Sequence, residues 1–286
     1  MTVAIEPVIR TMSLEDLEEA VTWAAEEGWN PGLHDARCYY QTDPEGFFVL
    51  ELNGKPIAAI SAISYGREYG FIGFYIVKPE FRGRGFGLRL WRRAMEYLQG
   101  RSIGLDGVIE QQKNYSRSGF KLAHRNIRFE LPGMSGLTKE KHCPEILPIN
   151  DDLLERVFDY DAHFFPARRE QFLKHWIRQP GVASLCWLDN NQVRGYSVMR
   201  RCRKGYKVGP LYADDNDVAE QLFSTLITSA GEGPVYLDVP ETNREAVKLA
   251  LTHGMRQCFE TARMYTWKEW NLPLDRIYGI TSFEIG

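Results

Sequence analysis

Long apolar runs, basic blocks and metal-ligand spacings are all missing from this sequence. No stretch of about 18 consecutive apolar residues occurs, which argues against a membrane-spanning helix. The opening "MTVAIEPVIRTMSLEDLEEA" reaches acidic residues before any signal-peptide apolar core, so a cytoplasmic location and no membrane partner are expected. Lys and Arg number 35 against 38 Asp and Glu, a formal net charge of −3 with no basic cluster, which argues against a general nucleic-acid binder. The five cysteines, Cys38, Cys143, Cys186, Cys202 and Cys258, are odd in number and form neither CxxC nor a Cys/His spacing. A disulfide framework and a zinc site are therefore not expected, and no metal is assigned.

What is present is ample core material: 286 residues, 44% hydrophobic and 13% aromatic, enough for one large domain or two of ordinary size. An amphipathic pattern predicts a helix from about Ser13 to Gly28, with Ser13 as N-cap and Asp16 in its first turn. "GFFVLEL", Asn53-Gly54 and "PIAAISAISYG" read as a hairpin, because Asn-Gly supplies the positive φ angles of a tight turn. "GFIGFYIV" (70–77) reads as a central strand in which Gly73 marks a bulge or a close backbone approach. A helix with Leu88, Trp91, Met95 and Leu98 on its apolar stripe follows, then the strand "SIGLDGVI", the segment "NYSRSGF" and the strand "AHRNIRFEL".

Between that central strand and that helix lies "VKPEFRGRGFGLRLW" (77–91), with glycines at 83, 85 and 87 among arginines. Alternate glycines at a helix N-terminus expose backbone N–H groups to which phosphate oxygens bind, and Arg82 and Arg84 add charge of a shape suited to phosphate. A P-loop would end in GKS or GKT, whereas Gly87 is followed by Leu88 and Arg89, leaving nothing to hold magnesium. A dinucleotide fingerprint would require glycine at 88 and a place on a first strand, and this loop has neither.

Val77, Pro79, Arg82, Gly83, Gly85 and Gly87 form V-x-P-x-x-R-G-x-G-x-G, which resembles the acetyl-CoA signature of the GNAT superfamily of N-acetyltransferases. The element order over about residues 8–131 is similar too. The resemblance implies that the amides of Gly83, Arg84, Gly85, Phe86 and Gly87, with Arg82, hold the CoA pyrophosphate, and that the backbone of Ile76 and Val77 pairs with the pantetheine arm. It also implies an oxyanion donor at the Val77 N–H or its neighbour, and a general acid at Tyr115, four residues before Gly119-Phe120. Acetyl-CoA is the expected co-substrate and a small-molecule primary amine the expected acceptor. The sequence departs from the family at Val108, where asparagine is common, and it has no glutamate near Phe71 to serve as base. Glu110, Asp106, Tyr75 and His124 are the remaining candidates for that role, while Gln111, Gln112 and Asn114 are candidates to hold pantetheine. Trp29, Asn30, Asp35 and Tyr75 are candidate acceptor-site residues. A non-catalytic acyl-CoA sensor is the alternative, supported by the missing base.

Residues 134–148 lose periodicity and read as a linker between a catalytic domain (1–133) and a second domain (149–286) that repeats the same order of elements. Leu105-Asp106 corresponds to Leu237-Asp238, and "IRF" (127–129) to "ARMY" (262–265), which points to a duplication. In the repeat the glycine loop is replaced by Asp214, Asp215 and Asp217, and Ala250 stands at the tyrosine position, so no CoA is expected there. The second half is expected to wall the acceptor pocket or form an interface, a homodimer being one arrangement left open; aromatics in 159–172, Tyr206 and Lys207 are its candidate lining residues. The expected fold is α+β, two GNAT-like mixed-sheet domains in tandem.

Overall fold

The computed structural model describes residues 6–133, 143–268 and 270–286. The first half runs β1 (Val8–Thr11), α1 (Leu14–Glu26), α2 (Asp35–Thr42), β2 (Phe47–Leu52), β3 (Lys55–Tyr65), β4 (Tyr69–Val77), α3 (Phe86–Tyr97), β5 (Ser102–Val108), α4 (Gln112–Arg117) and β6 (Lys121–Leu131). The second half runs β7 (Ile146–Pro148), α5 (Leu154–Asp161), α6 (Glu170–Trp176), β8 (Ala183–Asp189), β9 (Gln192–Arg201), β10 (Tyr206–Ala213), α7 (Asn216–Thr228), β11 (Val235–Pro240), α8 (Arg244–Thr252), β12 (Arg256–Tyr265) and β13 (Ile277–Gly279). Each half carries the expected mixed arrangement of strands and helices in the same order. Of the expected linker, residues 134–142 lie outside the described residues and its end forms β7, which pairs with β8.

Local chemistry explains the main boundaries. Ser13 Oγ accepts from the Asp16 amide at 3.2 Å while Asp16 Oδ2 accepts from the Ser13 amide at 2.8 Å, a reciprocal cap that starts α1. Asn53 and Gly54 take φ of 56° and 70° and turn β2 into β3. The apolar stripe of α3 is rotated from the expected one: Leu90, Trp91, Ala94 and Leu98 are buried, but Leu88 is 52% exposed. Position 90 takes its place, so that 90, 94 and 98 lie on the buried face at i, i+4 and i+8 while Leu88 falls in the exposed first turn.

The halves share one sheet. Its order is β1-β2-β3-β4-β5-β12-β6-β11-β10-β9-β8-β7, with β13 on β10. Each half's last long strand is therefore given to the other: β12 pairs with β5, β6 pairs with β11, and the two pair with each other across Asn126 and Thr261. The corresponding Asp and Arg residues meet reciprocally across this exchange. Arg128 of β6 holds Asp238 of β11 through two bonds of 2.6 and 2.8 Å, and Arg263 of β12 holds Asp106 of β5 through two of 2.9 and 2.6 Å. All four side chains are at most 6% exposed. The core also crosses the divide, joining Leu17, Val21 and Phe74 to Phe165, Phe172 and Trp176 in one apolar cluster.

Candidate active site

β4 and β5 are parallel and hydrogen-bonded only from Tyr69–Ile72 against Ser102–Leu105; beyond that they diverge. The divergence is enforced within β4, where Phe74 and Tyr75 both fall opposite Ile60 of β3 and Phe74 has φ of 45°, a β-bulge of the kind that re-aims a strand end. Gly73, expected to mark a bulge or a close approach, marks both. A methyl group there would lie 1.9 Å from the backbone oxygen of Glu284. Between the parted strands is a cavity of about 370 Å³. Ile72 to Val77, Leu105 to Val108, Glu27, Trp29, Arg82, Gln111 and Tyr115 line it from the first half, and Phe259, Thr261, Phe283 and Glu284 from the second.

Tyr115 sits on α4, its ring 5.6 Å from that of Trp91. A side chain at Gly107 would stand 2.3 Å from the Tyr115 ring, so the bare residue on β5 admits it. Burial, reinforced by Tyr75, raises the Tyr115 pKa well above the ordinary phenol value, which keeps its proton in place at neutral pH. Tyr75 also lines the cavity, and burial raises its pKa as well.

The glycine loop lies beside this cavity at the start of α3. Gly83 and Gly85 have φ of 73° and 81°, and a methyl group on either would meet nothing within 4 Å. Their bareness serves both the left-handed backbone and open access to it. Gly87 differs: a methyl group there would come within 2.6 Å of Tyr75 Oη, so this glycine makes room for a cavity residue. No side chain caps α3, leaving the amides of its first turn without an internal acceptor. Arg84 rests over the rings of Phe81 and Phe86, 5.7 and 5.2 Å from their centroids, and Phe86 opens the helix. Arg82 turns back, donating from Nε to the Val77 carbonyl at 2.8 Å and pairing with Glu27. Backbone amides on open space, flanked by cations and leading into a cavity between parted strands, fit a pyrophosphate and the arm that trails from it.

The acceptor-site candidates separate. Trp29 and Tyr75 line the cavity; Asn30 and Asp35 do not. The Asn30 side chain donates to the Lys204 carbonyl at 3.0 Å and accepts from the Lys204 amide at 2.9 Å, and Asp35 is buried against Arg200 at 2.9 Å. Short polar side chains in this sequence region are thus used to tie the halves together. Of the candidate bases, Glu110 is exposed and outside the cavity lining. His124 is buried, likewise outside it, and held neutral with a pKa of about 3 by burial and the Arg263 charge. Asp106 does line the cavity, but both its oxygens are taken, by Arg263 and by Asn126 at 2.8 Å. Gln111 lines it, and accepts from Asn114 at 2.7 Å. In the second half Tyr160, Phe164, Phe165 and Lys207 are buried away from the cavity, and neither they nor Tyr206 line it. Phe259, Phe283 and Glu284 escaped the sequence reading because nothing local ties them to the glycine loop; the one available signal was a glutamate inside the apolar tail "ITSFEIG".

The equivalent place in the second half is closed. β10 and β11 pair in parallel over Tyr206–Val208 and then part, but β13 lies antiparallel on β10, with Leu211 opposite Gly279 and Tyr212 opposite Ile277. Asp215 Oδ1 accepts from the Val218 amide at 3.0 Å, capping α7 where the first half leaves α3 bare. Among the described residues no group of three or more His, Cys, Asp or Glu could hold a metal ion, and no helix is long and apolar enough to cross a membrane.

A bulged strand parted from its parallel neighbour beside an uncapped, glycine-started helix makes an open cleft that ends on free backbone amides, the geometry of a site for an extended, phosphate-bearing ligand. Comparison with known proteins makes this specific. Residues 14–120 match the acetyltransferase (GNAT) family and residues 157–279 the acetyltransferase (GNAT) domain. The holothin acyltransferase of Pseudoalteromonas sp. (strain SANK 73390) is 32% identical over 276 residues, covering 96% of this chain and 92% of that protein. An uncharacterized N-acetyltransferase of Bacillus subtilis, YitH, is 21% identical over 84% of each chain. Among solved structures, a Pyrococcus horikoshii protein superposes with a TM-score of 0.82 at 23% identity, covering 98% of this chain and 96% of that one. A tandem GNAT protein from the clavulanic acid biosynthesis pathway gives 0.61 at 12% identity, covering 91% and 98%. The chain belongs to the GNAT acetyltransferase family and is an acyltransferase with two GNAT units in tandem.

Proposed function

We propose that this enzyme transfers an acetyl group from acetyl-CoA to the primary amine of a small molecule by direct attack, with Tyr115 as general acid. The observation that carries this reading is that one cavity holds the bulged end of β4 and a buried tyrosine that keeps its proton. The pyrophosphate would rest on the amides of Gly83 to Gly87 beside Arg82 and Arg84, and the pantetheine arm would run along Ile76 and Val77. The backbone N–H groups after the bulge would receive the thioester oxygen as it gains charge, where donors fixed in advance are most effective. Loss of the thiolate calls for a proton, and a phenol that stays protonated at neutral pH, within the same cavity, has one to donate. The cavity is of a size usual for small ligands. The relative at 32% identity is named for holothin, which makes holothin the first acceptor to assay.

The test is Tyr115→Phe, which keeps the ring against Gly107 and Trp91. It should lower kcat by roughly ten- to a thousand-fold, with the Kd for CoA nearly unchanged by calorimetry. Unchanged turnover at saturating substrates would remove Tyr115 from the mechanism.

A further inference from the structure

Three acidic residues line the cavity, and of these only Glu284 has a buried oxygen left unused among the described residues. Glu27 is paired with Arg82 at a partly exposed edge, and Asp106 spends both oxygens on Arg263 and Asn126. Glu284 is 2% exposed, and its Oε2 accepts from Ser282 Oγ at 2.6 Å and from Tyr39 Oη at 3.4 Å, while its Oε1 has no hydrogen-bond partner among the described residues. The buried cations Arg128, Arg200 and Lys207 act on the Glu284 charge at longer range, but none donates to Oε1, and a buried carboxylate oxygen without a donor is unfavourable unless something protic comes to it. The backbone of Glu284 is pressed against Gly73, next to the bulge at which the thioester would be polarised. The segment that carries it is fixed on either side of this point: the Ile280 amide donates to the Asp238 carbonyl at 2.8 Å and Tyr65 Oη to the Ile285 carbonyl at 2.9 Å.

We propose that Glu284, supplied by the second GNAT unit, receives the acceptor's ammonium group and removes its proton. This rests on the transfer reaction proposed above. The ammonium N–H bond breaks and its proton passes to Glu284 Oε1. The freed nitrogen pair forms the bond to the acyl carbon, the carbon–sulfur bond breaks, and the thiolate takes the Tyr115 proton. Glu284 then returns its proton to water, and the second proton that the nitrogen sheds as the amide forms passes by way of water to the Tyr115 phenolate. The assignment fills the role for which the first half has no glutamate near Phe71, and gives the second unit a part in the chemistry.

The experiment compares two classes of acceptor in wild type and Glu284→Gln: an alkylamine, protonated at pH 7, and hydroxylamine, largely neutral there. Glu284→Gln should lower kcat/KM for the alkylamine by about a hundred-fold or more, change it for hydroxylamine by less than about three-fold, and leave the Kd for CoA and the Tm near the wild-type values. Equal losses for both acceptors, or none, would overturn the assignment while leaving the transferase reading intact. Wild-type enzyme that binds CoA and acylates no amine would overturn that reading and this assignment with it. Should Glu284→Gln not fold, Glu284→Asp, with its carboxylate drawn back by one methylene, gives the same two-acceptor comparison.

Discussion

If the exchanged strands hold the two halves as one folding unit, then removing one charge from either reciprocal pair should unfold both halves together. Asp238→Asn keeps the side-chain shape but leaves the Arg128 guanidinium, 3% exposed, without its carboxylate. Stranding a buried partner in this way costs about 3–5 kcal/mol. That is a large share of the roughly 5–15 kcal/mol by which proteins are stable, and at about 2–4 °C per kcal/mol it lowers Tm by roughly 6–20 °C. Arg128→Met with Asp238→Leu removes both charges, and should cost mainly the bond that Arg128 Nη1 gives to the Trp29 carbonyl at 2.7 Å, about 1 kcal/mol. Urea unfolding followed by near-UV and far-UV circular dichroism should give one transition in every variant. Asp106→Asn, in the other half by sequence, should move that same transition. The reasoning fails if wild type unfolds in two steps of which each substitution moves one, or if Asp238→Asn costs less than about 1 kcal/mol.

The loop glycines should divide by cause. Gly85→Ala places a side chain at φ of 81° and costs about 1–2 kcal/mol, weakening CoA binding about ten-fold or more in calorimetry while spectra of the Tyr75 region stay unchanged. Gly87→Ala, whose methyl group would overlap Tyr75 Oη, should instead alter the cavity, raising KM for the acceptor at least as much as for CoA in steady-state assays. Burial keeps His124 neutral in the folded chain down to pH of about 3, whereas an unfolded histidine protonates below about 6.5. Stability should therefore fall as pH drops from about 6.5 toward 3, by up to about 1.4 kcal/mol per pH unit, and denaturant titrations of His124→Gln should lack that part of the slope.

Much of the first half was legible because its signals are local. The Ser13 cap, the Asn53-Gly54 turn and the glycine loop each act within a few residues of themselves, and hydrophobic period separates helix from strand without reference to anything distant. Strand partners are another matter. The pattern of "AHRNIRFEL" predicts a strand that is buried, but an identical pattern serves beside β5 or beside β11, and it is Arg128 meeting Asp238 rather than Asp106 that records the choice. The corresponding Leu-Asp pairs and arginine strands carried that information, yet only as a repeat. For the same reason Asn30 and Asp35 were polar residues in a suitable place whose partners, Lys204 and Arg200, lie in the other half.

The difference between the two halves at the glycine-loop position follows the same long-range logic. In the first half the gap between β4 and β5 is open and α3 is uncapped; in the second, β13 fills the matching edge of β10 and Asp215 occupies the matching amides. Negative charge from Asp215 would repel a pyrophosphate, and a strand already bonded to β10 leaves no backbone for pantetheine. The chain that runs on from β13 then reaches the first half's bulge and places Glu284 against Gly73. One segment thus covers the matching edge in the second half and completes the wall of the first half's cavity. A ligand seated along β10 would have to displace β13 and with it the segment that carries Glu284.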